Sequence, residues 1–285
     1  MDALTKLGVY LSYLCKGLGH ADRHSSLREY CSGLMLPIER KSIEPLAACA
    51  APCQVGAKHQ ALHHFVAKSD WSDDIVLDKV RQWVSPVLGL ETDTFWIVDD
   101  TGFPKKGTYS VGVARQYCGQ LGKQDNCQVA VSVSVSSRIG SVPMGYRLYL
   151  PKEWAEDIQR RTKAGVPQDI VFATKPEIAL DLIRRAKDKD VPVGPVLADA
   201  GYGSDTAFRD ALSALELQYA VGVTSQAHVW APGVQPLPPE PQKRTGRPAK
   251  LLRRGPGLDS NITLTDCKGH RPTTSSVPLL RKREK

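Results

Sequence analysis

The stretch "TFWIVDDTGFPKKG", residues 94–107, decides how the rest of the chain is interpreted. Its apolar and β-branched residues predict a short strand, which is followed at once by Asp99 and Asp100. Burying unpaired carboxylates is costly, so two aspartates at the end of a buried strand indicate that something uses their charge. The alternative is a turn, where Asp is common anyway. The strands and helices that follow favour the first interpretation.

Two strand patterns come next in the chain. Residues 128–137, "QVAVSVSVSS", alternate strictly between apolar and polar and predict a strand with one buried face. Residues 142–151, "VPMGYRLYLP", predict another strand after a turn at Gly140. Because the connections are short, we expect these two strands and the one before Asp99 to form an antiparallel meander.

The pattern then changes to alternating helices and strands. Thr174 and Glu177 form a capping box at the start of an amphipathic helix. A strand ending at Asp199 follows, then a helix that begins at Ser204 or Asp205, and then a strand at 218–223. This alternation predicts parallel pairing with helices as crossovers.

Three strands, a helix, a strand, a helix and a strand are the succession of the ribonuclease-H-like plan. In that plan the end of the first strand lies beside the end of the fourth, so Asp99 and Asp199 are expected to face each other. Two carboxylates at a strand-end cleft can hold hard divalent cations, and sites with two metal ions catalyse phosphoryl transfer. We therefore predict an α/β protein with a metal-dependent site at these aspartates.

The flanking regions differ from this core in composition and charge. Residues 1–90 show apolar spacing of three and four residues, which predicts a small helical domain, with the helix near Trp71 capped by Ser69 or Asp70. The net charge is +8, but residues 242–285 hold twelve Lys and Arg against three acidic residues. The rest of the chain is therefore close to neutral, and the basic segment is expected to bind a polyanion.

These patterns predict three regions, which are residues 1–90, residues 91–230 with the α/β core, and a proline-rich, basic and irregular tail at 231–285. Hydrophobic and charged contents of 41% and 24% are typical of a soluble globular protein. No signal peptide or membrane-spanning stretch is predicted. The seven cysteines match neither a zinc site nor a disulfide framework, and His59, His63 and His64 lack the pattern of a zinc enzyme. We expect a cytoplasmic protein.

The blocks "WIVDDTGFPKKGTYSVGVARQYCGQLGKQDNCQVAVSVSV" and "VLADAGYG" resemble the IS701-type branch of bacterial insertion-sequence transposases, within the wider IS4-like DDE group. The resemblance covers roughly residues 25–254, and the first block is highly specific. It implies a ribonuclease-H-like core that binds Mg²⁺ or Mn²⁺ through two aspartates and a later glutamate. It also implies cutting and rejoining of DNA at terminal inverted repeats, oligomers on paired DNA ends, and a nucleoid-associated protein in the bacterial cytoplasm.

Carried over to this chain, the first aspartate of the family falls on Asp99 or Asp100. The related pattern of Asp, any residue, then Thr or Ser favours Asp99 with Thr101, and Asp100 stays open. The second aspartate is Asp199. The glutamate of the family has no counterpart on a predicted helix, because Glu216 comes too early, Glu240 lies among prolines, and Glu284 is the penultimate residue. The resemblance therefore implies an incomplete active site and an impaired enzyme.

Several basic residues are candidates for binding DNA phosphates, although solvated loop lysines are as common. These candidates are Lys105 and Lys106 after the aspartates, Arg115 and Lys123 in the loop-like segment before the second strand, and Arg244 and Arg247 in the tail. The Gly-Arg-Pro of "QKRTGRPAK" resembles the core of minor-groove AT-hook peptides.

Two other functions are compatible with parts of the sequence. A DNA-binding remnant could occupy transposon ends and regulate an intact copy, through the helical region and the basic tail. A haloacid-dehalogenase-like phosphatase is suggested by "VDDTG" after a strand. That class needs aspartates at i and i+2, and position 101 is Thr, so its spacing fails.

Overall fold

The computed structural model describes residues 2–90, 93–225, 227 and 237. Its contacts divide the chain into two compact units, with the division between Thr92 and Asp93. The predicted tail at 231–285, with Arg244 and Arg247, lies outside the described residues apart from position 237. Among the described residues no helix is long and apolar enough to cross a bilayer.

The first unit is helical. Its five α-helices are α1 Ala3–Cys15, α2 Arg23–Met35, α3 Ile43–Ala50, α4 Val55–Ala67 and α5 Asp73–Leu88. Two apolar clusters hold them together, one around Leu14, Leu27 and Phe65, the other around Leu46 and Leu62.

The predicted start of the helix near Trp71 was wrong by two residues. Helix α5 begins at Asp73, and the Ser72 hydroxyl accepts the N–H of Ile75 at its N-terminus. Asp73 and Asp74 then lie in the first turn, where the helix dipole favours negative charge. The cap of α5 is therefore Ser72, and the prediction of Ser69 or Asp70 is wrong.

The second unit is a mixed α/β structure with one sheet. Its strands are β1 Phe95–Pro104, β2 Ala114–Cys118, β3 Lys123–Ser137, β4 Gly140–Leu148, β5 Val196–Ala198 and β6 Tyr219–Val221. Its helices are α6 Lys152–Glu156, α7 Ile158–Lys163, α8 Lys175–Asp188, α9 Ala200–Gly203 and α10 Thr206–Ala214. The prediction of an α/β class is confirmed.

The sheet has the order β2-β3-β1-β5-β6, and β4 also pairs with β3, farther along that strand than β2. The pairs β1–β3 and β3–β4 are antiparallel, whereas β1–β5 and β5–β6 are parallel. Both the meander and the parallel crossovers were predicted. Strand β2 was not, because we had interpreted residues 114–118 as a loop.

One face of the sheet is the core of this unit. Val129, Val131, Val133 and Val135 of β3 are fully buried there, as the strict alternation predicted. Helix α8 packs on β3 and β4, and the close approach of Leu182 to Gly145 fixes that packing. The predicted capping box at its start is present, with Thr174 and Glu177 bonded reciprocally.

Candidate active site

The two predicted aspartates of β1 lie inside the strand and not at its end. Strand β1 continues through Gly102 to Pro104 because β3 pairs with it along its whole length. Its parallel pairing with β5 is shorter and covers only Trp96 to Val98. Asp99 and Asp100 therefore directly follow the parallel part of the strand, at the carboxyl end where α/β sheets bind ligands.

Asp99 and Asp199 come together in this arrangement. Val98 pairs with Ala198, so the two aspartates are the next residues on adjacent parallel strands, whose spacing is about 4.8 Å. The backbone of Asp199 is still extended, with φ −78° and ψ −176°. Because side chains alternate along a strand, both carboxylates project from the same face. Both residues are exposed.

Each of these carboxylates uses one oxygen locally. The N–H of Asp100 donates to Asp99 Oδ1 at 2.8 Å, and the N–H of Gly201 donates to Asp199 Oδ1 at 2.9 Å. Among the described residues no partner is seen for Oδ2 of either side chain, so these two oxygens can bind another ligand. Such oxygens suit a hard cation like Mg²⁺, which keeps several waters and binds through one or two carboxylates.

Asp100 projects from the opposite face, where α8 covers the sheet. Lys175, the first residue of α8, donates to Asp100 Oδ2 at 2.8 Å, and both side chains are about one quarter to one third exposed. The hydroxyl of Tyr202 lies 3.5 Å from the same oxygen. This carboxylate is therefore already neutralised by a cation of the protein.

Tyr202 lies close to all three aspartates. Its side chain is almost fully buried, and it follows Asp199 in the helix α9. Burial raises the pKa of the Tyr202 hydroxyl, and the negative charges of Asp100, Asp199 and Asp99 raise it further. The phenol is therefore held protonated, so it can donate a hydrogen bond towards the carboxylates.

Asp199 begins the segment "DAGYG", a tight turn from β5 into α9. Contacts with the surrounding backbone fix the conformation of this turn. A Cβ on Gly203 would lie 2.0 Å from the carbonyl oxygen of Gly222, so only glycine fits there. The nearly buried Arg209 donates to the Gly203 carbonyl and to the Thr206 hydroxyl. These contacts hold the end of β5 and the start of α10 in one geometry.

The other predicted residues are distributed unevenly around this site. Lys105 and Lys106 are exposed just beyond β1. Arg115 is an exposed residue of β2 and Lys123 begins β3, so neither lies in a loop. Lys123 Nζ is 3.1 Å from Asp125 Oδ2. The N–H of Asn126, followed by Lys123 and more weakly Arg115, lowers the pKa of Asp125, so both cations already face a carboxylate.

The described residues do not supply a third metal ligand. No group of three His, Cys, Asp or Glu side chains able to hold a metal occurs among them. Glu216 lies in the turn between α10 and β6, at the end of the parallel strands opposite to Asp199. Glu216 is therefore separated from the two aspartates by the length of these strands.

Sequence reasoning missed Lys175 and Tyr202. Tyr202 could have been noticed, because it is three residues after Asp199 and shares one turn with it. Lys175 lies 75 residues from Asp100, and nothing local in the sequence connects the two.

Comparison with known proteins places this geometry in a family. The model of the DDE superfamily endonucleases matches residues 13–282. The probable transposase for insertion sequence element IS701 from Microchaete diplosiphon is 33% identical over 199 residues, which are 69% of this chain and 48% of that protein. The chain thus spans about half the length of the curated relative that it matches. It belongs to the DDE superfamily of endonucleases.

Proposed function

We propose that this chain is a DNA transposase of the DDE type, which cleaves and joins strands by phosphoryl transfer at the ends of an insertion sequence. The observation that carries the proposal is the position of Asp99 and Asp199, side by side after the paired residues Val98 and Ala198. The strand order supports it, since β1 lies between the antiparallel β3–β4 hairpin and the parallel β5 and β6, as the ribonuclease-H-like core that we propose requires. The resemblance to IS701-type transposases points to the same activity.

We assign Asp99 and Asp199 as ligands of Mg²⁺ or Mn²⁺. Their exposed oxygens fit such an ion by the chemistry of the donors, and Asp100 fits less well because Lys175 already neutralises it. When bound, the ion would supply charge stabilisation at the phosphoryl group and activate the attacking water or hydroxyl. The protein contributes fixed carboxylates, since the local N–H groups hold both side chains in place.

Asp100 is then a positioning residue. It anchors the middle of β1 to the N-terminus of α8 through Lys175 and keeps Tyr202 oriented under the site. Its carboxylate also raises the pKa of Tyr202. Of the two candidates for the first aspartate of the family, Asp99 is therefore favoured over Asp100, with Thr101 two residues later on the same face.

The partners in this proposal are DNA ends and target DNA. Lys105 and Lys106 would contact phosphates, and Arg115 and Lys123 would do so less strongly because of Asp125. The helical unit at 1–90 and the basic residues Arg244 and Arg247 would add affinity for the terminal inverted repeats. An oligomer on paired ends and a nucleoid location in the cytoplasm follow from the same activity.

Mn²⁺-dependent nicking of a duplex that carries the terminal repeats of the element tests the proposal. We expect weak nicking by the wild-type chain, since the described residues supply no third acidic ligand, and none by Asp199→Asn. The thermal stability of the variant should be unchanged because Asp199 is exposed. Asp188→Asn is a matched control, since Asp188 is an exposed acidic residue of α8 outside the site. Nicking that survives Asp199→Asn would contradict the assignment.

A non-catalytic DNA-binding regulator is the second candidate. The observation in its favour is that the described residues offer two carboxylates on one face and no group of three. Specific binding to the terminal repeats without nicking in Mn²⁺ would select this function, and nicking that requires Asp199 would reject it.

A further inference from the structure

The loop between β1 and β2 is held in one shape from two sides. On one side, the amide of Asn126 donates to the carbonyls of Lys105 at 2.7 Å and Gly107 at 2.9 Å. On the other side, the Arg160 guanidinium of α7 donates to the carbonyl of Thr108 at 2.7 Å. The conformation of residues 105–109 is therefore set by β3 and α7.

Arg160 is itself firmly placed. Its guanidinium carbon lies 3.7 Å from the ring centroid of Trp154, which is fully buried. The Trp154 indole N–H in turn donates to the Val113 carbonyl at 2.7 Å. The loop thus rests on the apolar cluster of Val113, Leu150 and Trp154.

The loop held in this way exposes the Tyr109 ring, with lysine side chains near it. The side chain of Tyr109 is 84% exposed, and Lys163 Nζ lies 5.8 Å from its ring centroid. Lys105 and Lys106 are exposed in the same loop. Within the part of the chain that the structure describes, none of these three lysines has a carboxylate within 4.0 Å. We define Lys105, Lys106, Tyr109 and Lys163 as the 105–163 surface.

We propose that the 105–163 surface binds unpaired DNA next to the cleavage site, with the Tyr109 ring stacked on a base and the lysines on the flanking phosphates. Stacking needs an exposed base face, so single-stranded or frayed DNA fits better than an intact duplex. Exposed lysines without carboxylate partners suit phosphates, and a preorganised aromatic side chain loses little entropy on binding.

The surface lies at a suitable distance from the site. Lys105 lies six residue steps along the chain from Asp99, which is about 20 Å at the rise of a β-strand. That span corresponds to about six nucleotides at 3.4 Å each. As a DNA-end contact, the inference rests on the proposed function, but binding to this surface requires neither metal nor cleavage.

The test is binding of the full chain to a fluorescent single-stranded oligonucleotide and to a blunt duplex of the same sequence, in EDTA. We expect Tyr109→Ala to weaken single-strand binding about 5- to 100-fold, the range for one lost stacking contact, with little change for the duplex. Tyr109→Phe should restore binding to within about twofold, because the ring is kept. Tyr117→Ala is the matched control, since Tyr117 is a 58% exposed tyrosine of β2.

Lys163→Ala gives an independent readout. We expect it to reduce the slope of log affinity against log salt by about 0.7 for single strands, as for one phosphate contact. An unchanged affinity of Tyr109→Ala for the single strand, or an equal loss on both DNAs, would overturn the proposal. Because the assay contains no metal, a Tyr109 effect in a chain that does not nick would contradict the proposed catalysis alone.

Discussion

The two faces of β1 give neighbouring aspartates different surroundings. On the face covered by α8, Asp100 is half-buried and pairs with Lys175 at 2.8 Å. On the other face, Asp99 is exposed beside Asp199, and its Oδ1 accepts the local N–H of Asp100. On the covered face the charge of Asp100 is neutralised by Lys175, whereas on the open face the charges of Asp99 and Asp199 can bind a ligand. The comparison indicates that position on the pleat separates the aspartate that the fold already pairs from the one that we propose as a metal ligand.

Exchanging the two aspartates for asparagine is the strongest test of this comparison. We expect Asp99→Asn to reduce Mn²⁺-dependent nicking more than about 100-fold, since changing even the indirect partners of a metal costs 10- to 100-fold. Its thermal stability should stay within about 0.5 kcal/mol of wild type, as for exposed positions. Nicking rates and thermal unfolding of the same preparations check both expectations.

Asp100→Asn should behave in the opposite way. It leaves Lys175 without its carboxylate, so we expect a loss of stability and a smaller loss of nicking. If Asp100→Asn abolished nicking and Asp99→Asn spared it, the assignment of the two faces would be reversed.

The packing of the covered face can be tested at Gly102, two residues after Asp100 on the same face. A Cβ there would lie 2.9 Å from Cys118 Sγ and 3.0 Å from its Cα. We expect Gly102→Ala to lower the free energy of unfolding by about 1–3 kcal/mol, as for overpacked cores. Gly119→Ala is the control, because nothing lies within 4 Å of its added Cβ. Equal unfolding midpoints for the two variants would show that this face tolerates expansion.

The sequence predicted most of this arrangement because its patterns are local. The alternating "QVAVSVSVSS" became the buried half of β3, and Thr174 with Glu177 became the cap of α8. The alternation of side chains could also have separated Asp99 from Asp100, since adjacent strand residues always project to opposite faces.

What could not be predicted depends on contacts between distant residues. Strand β1 passes through Gly102 and Pro104, which usually end strands, because ten successive residues pair with β3. Strand β2 is short and exists through its pairing with residues 123–127. The ion pair of Lys175 with Asp100 likewise arises only when α8 packs on the sheet.

The Lys175–Asp100 pair should contribute a smaller, measurable effect. We expect Lys175→Met to lower the free energy of unfolding by about 1–2 kcal/mol, because a partly buried carboxylate loses its partner. Nicking should fall by about 10-fold or less, since Asp99 and Asp199 keep their own contacts. Lys175→Arg should restore most of both. A loss of nicking as large as that of Asp99→Asn would place Lys175 in the catalytic machinery and weaken the contrast between the faces.

The smallest expected effect comes from variants of the N-terminal cap of α8. These variants test the stability of the helix start without removing the Lys175–Asp100 ion pair. Thr174→Ala should lower the free energy of unfolding by about 1 kcal/mol, as for a lost N-cap, and leave nicking unchanged.

The carboxylate of Glu177 gives a pH-dependent test of the same cap. The N–H and hydroxyl of Thr174 lower the pKa of Glu177 below its ordinary 4.5. The contribution of Glu177 to stability is therefore present above that pH and is lost as the pH falls through the lowered pKa. The stability difference between wild type and Glu177→Gln, measured by urea unfolding, should therefore shrink below pH 4.5. A difference that grew on acidification would mean that the carboxylate is not the stabilising form. In that case the effects of Lys175 variants could not be attributed to the ion pair alone, because the start of α8 would itself respond to its charges.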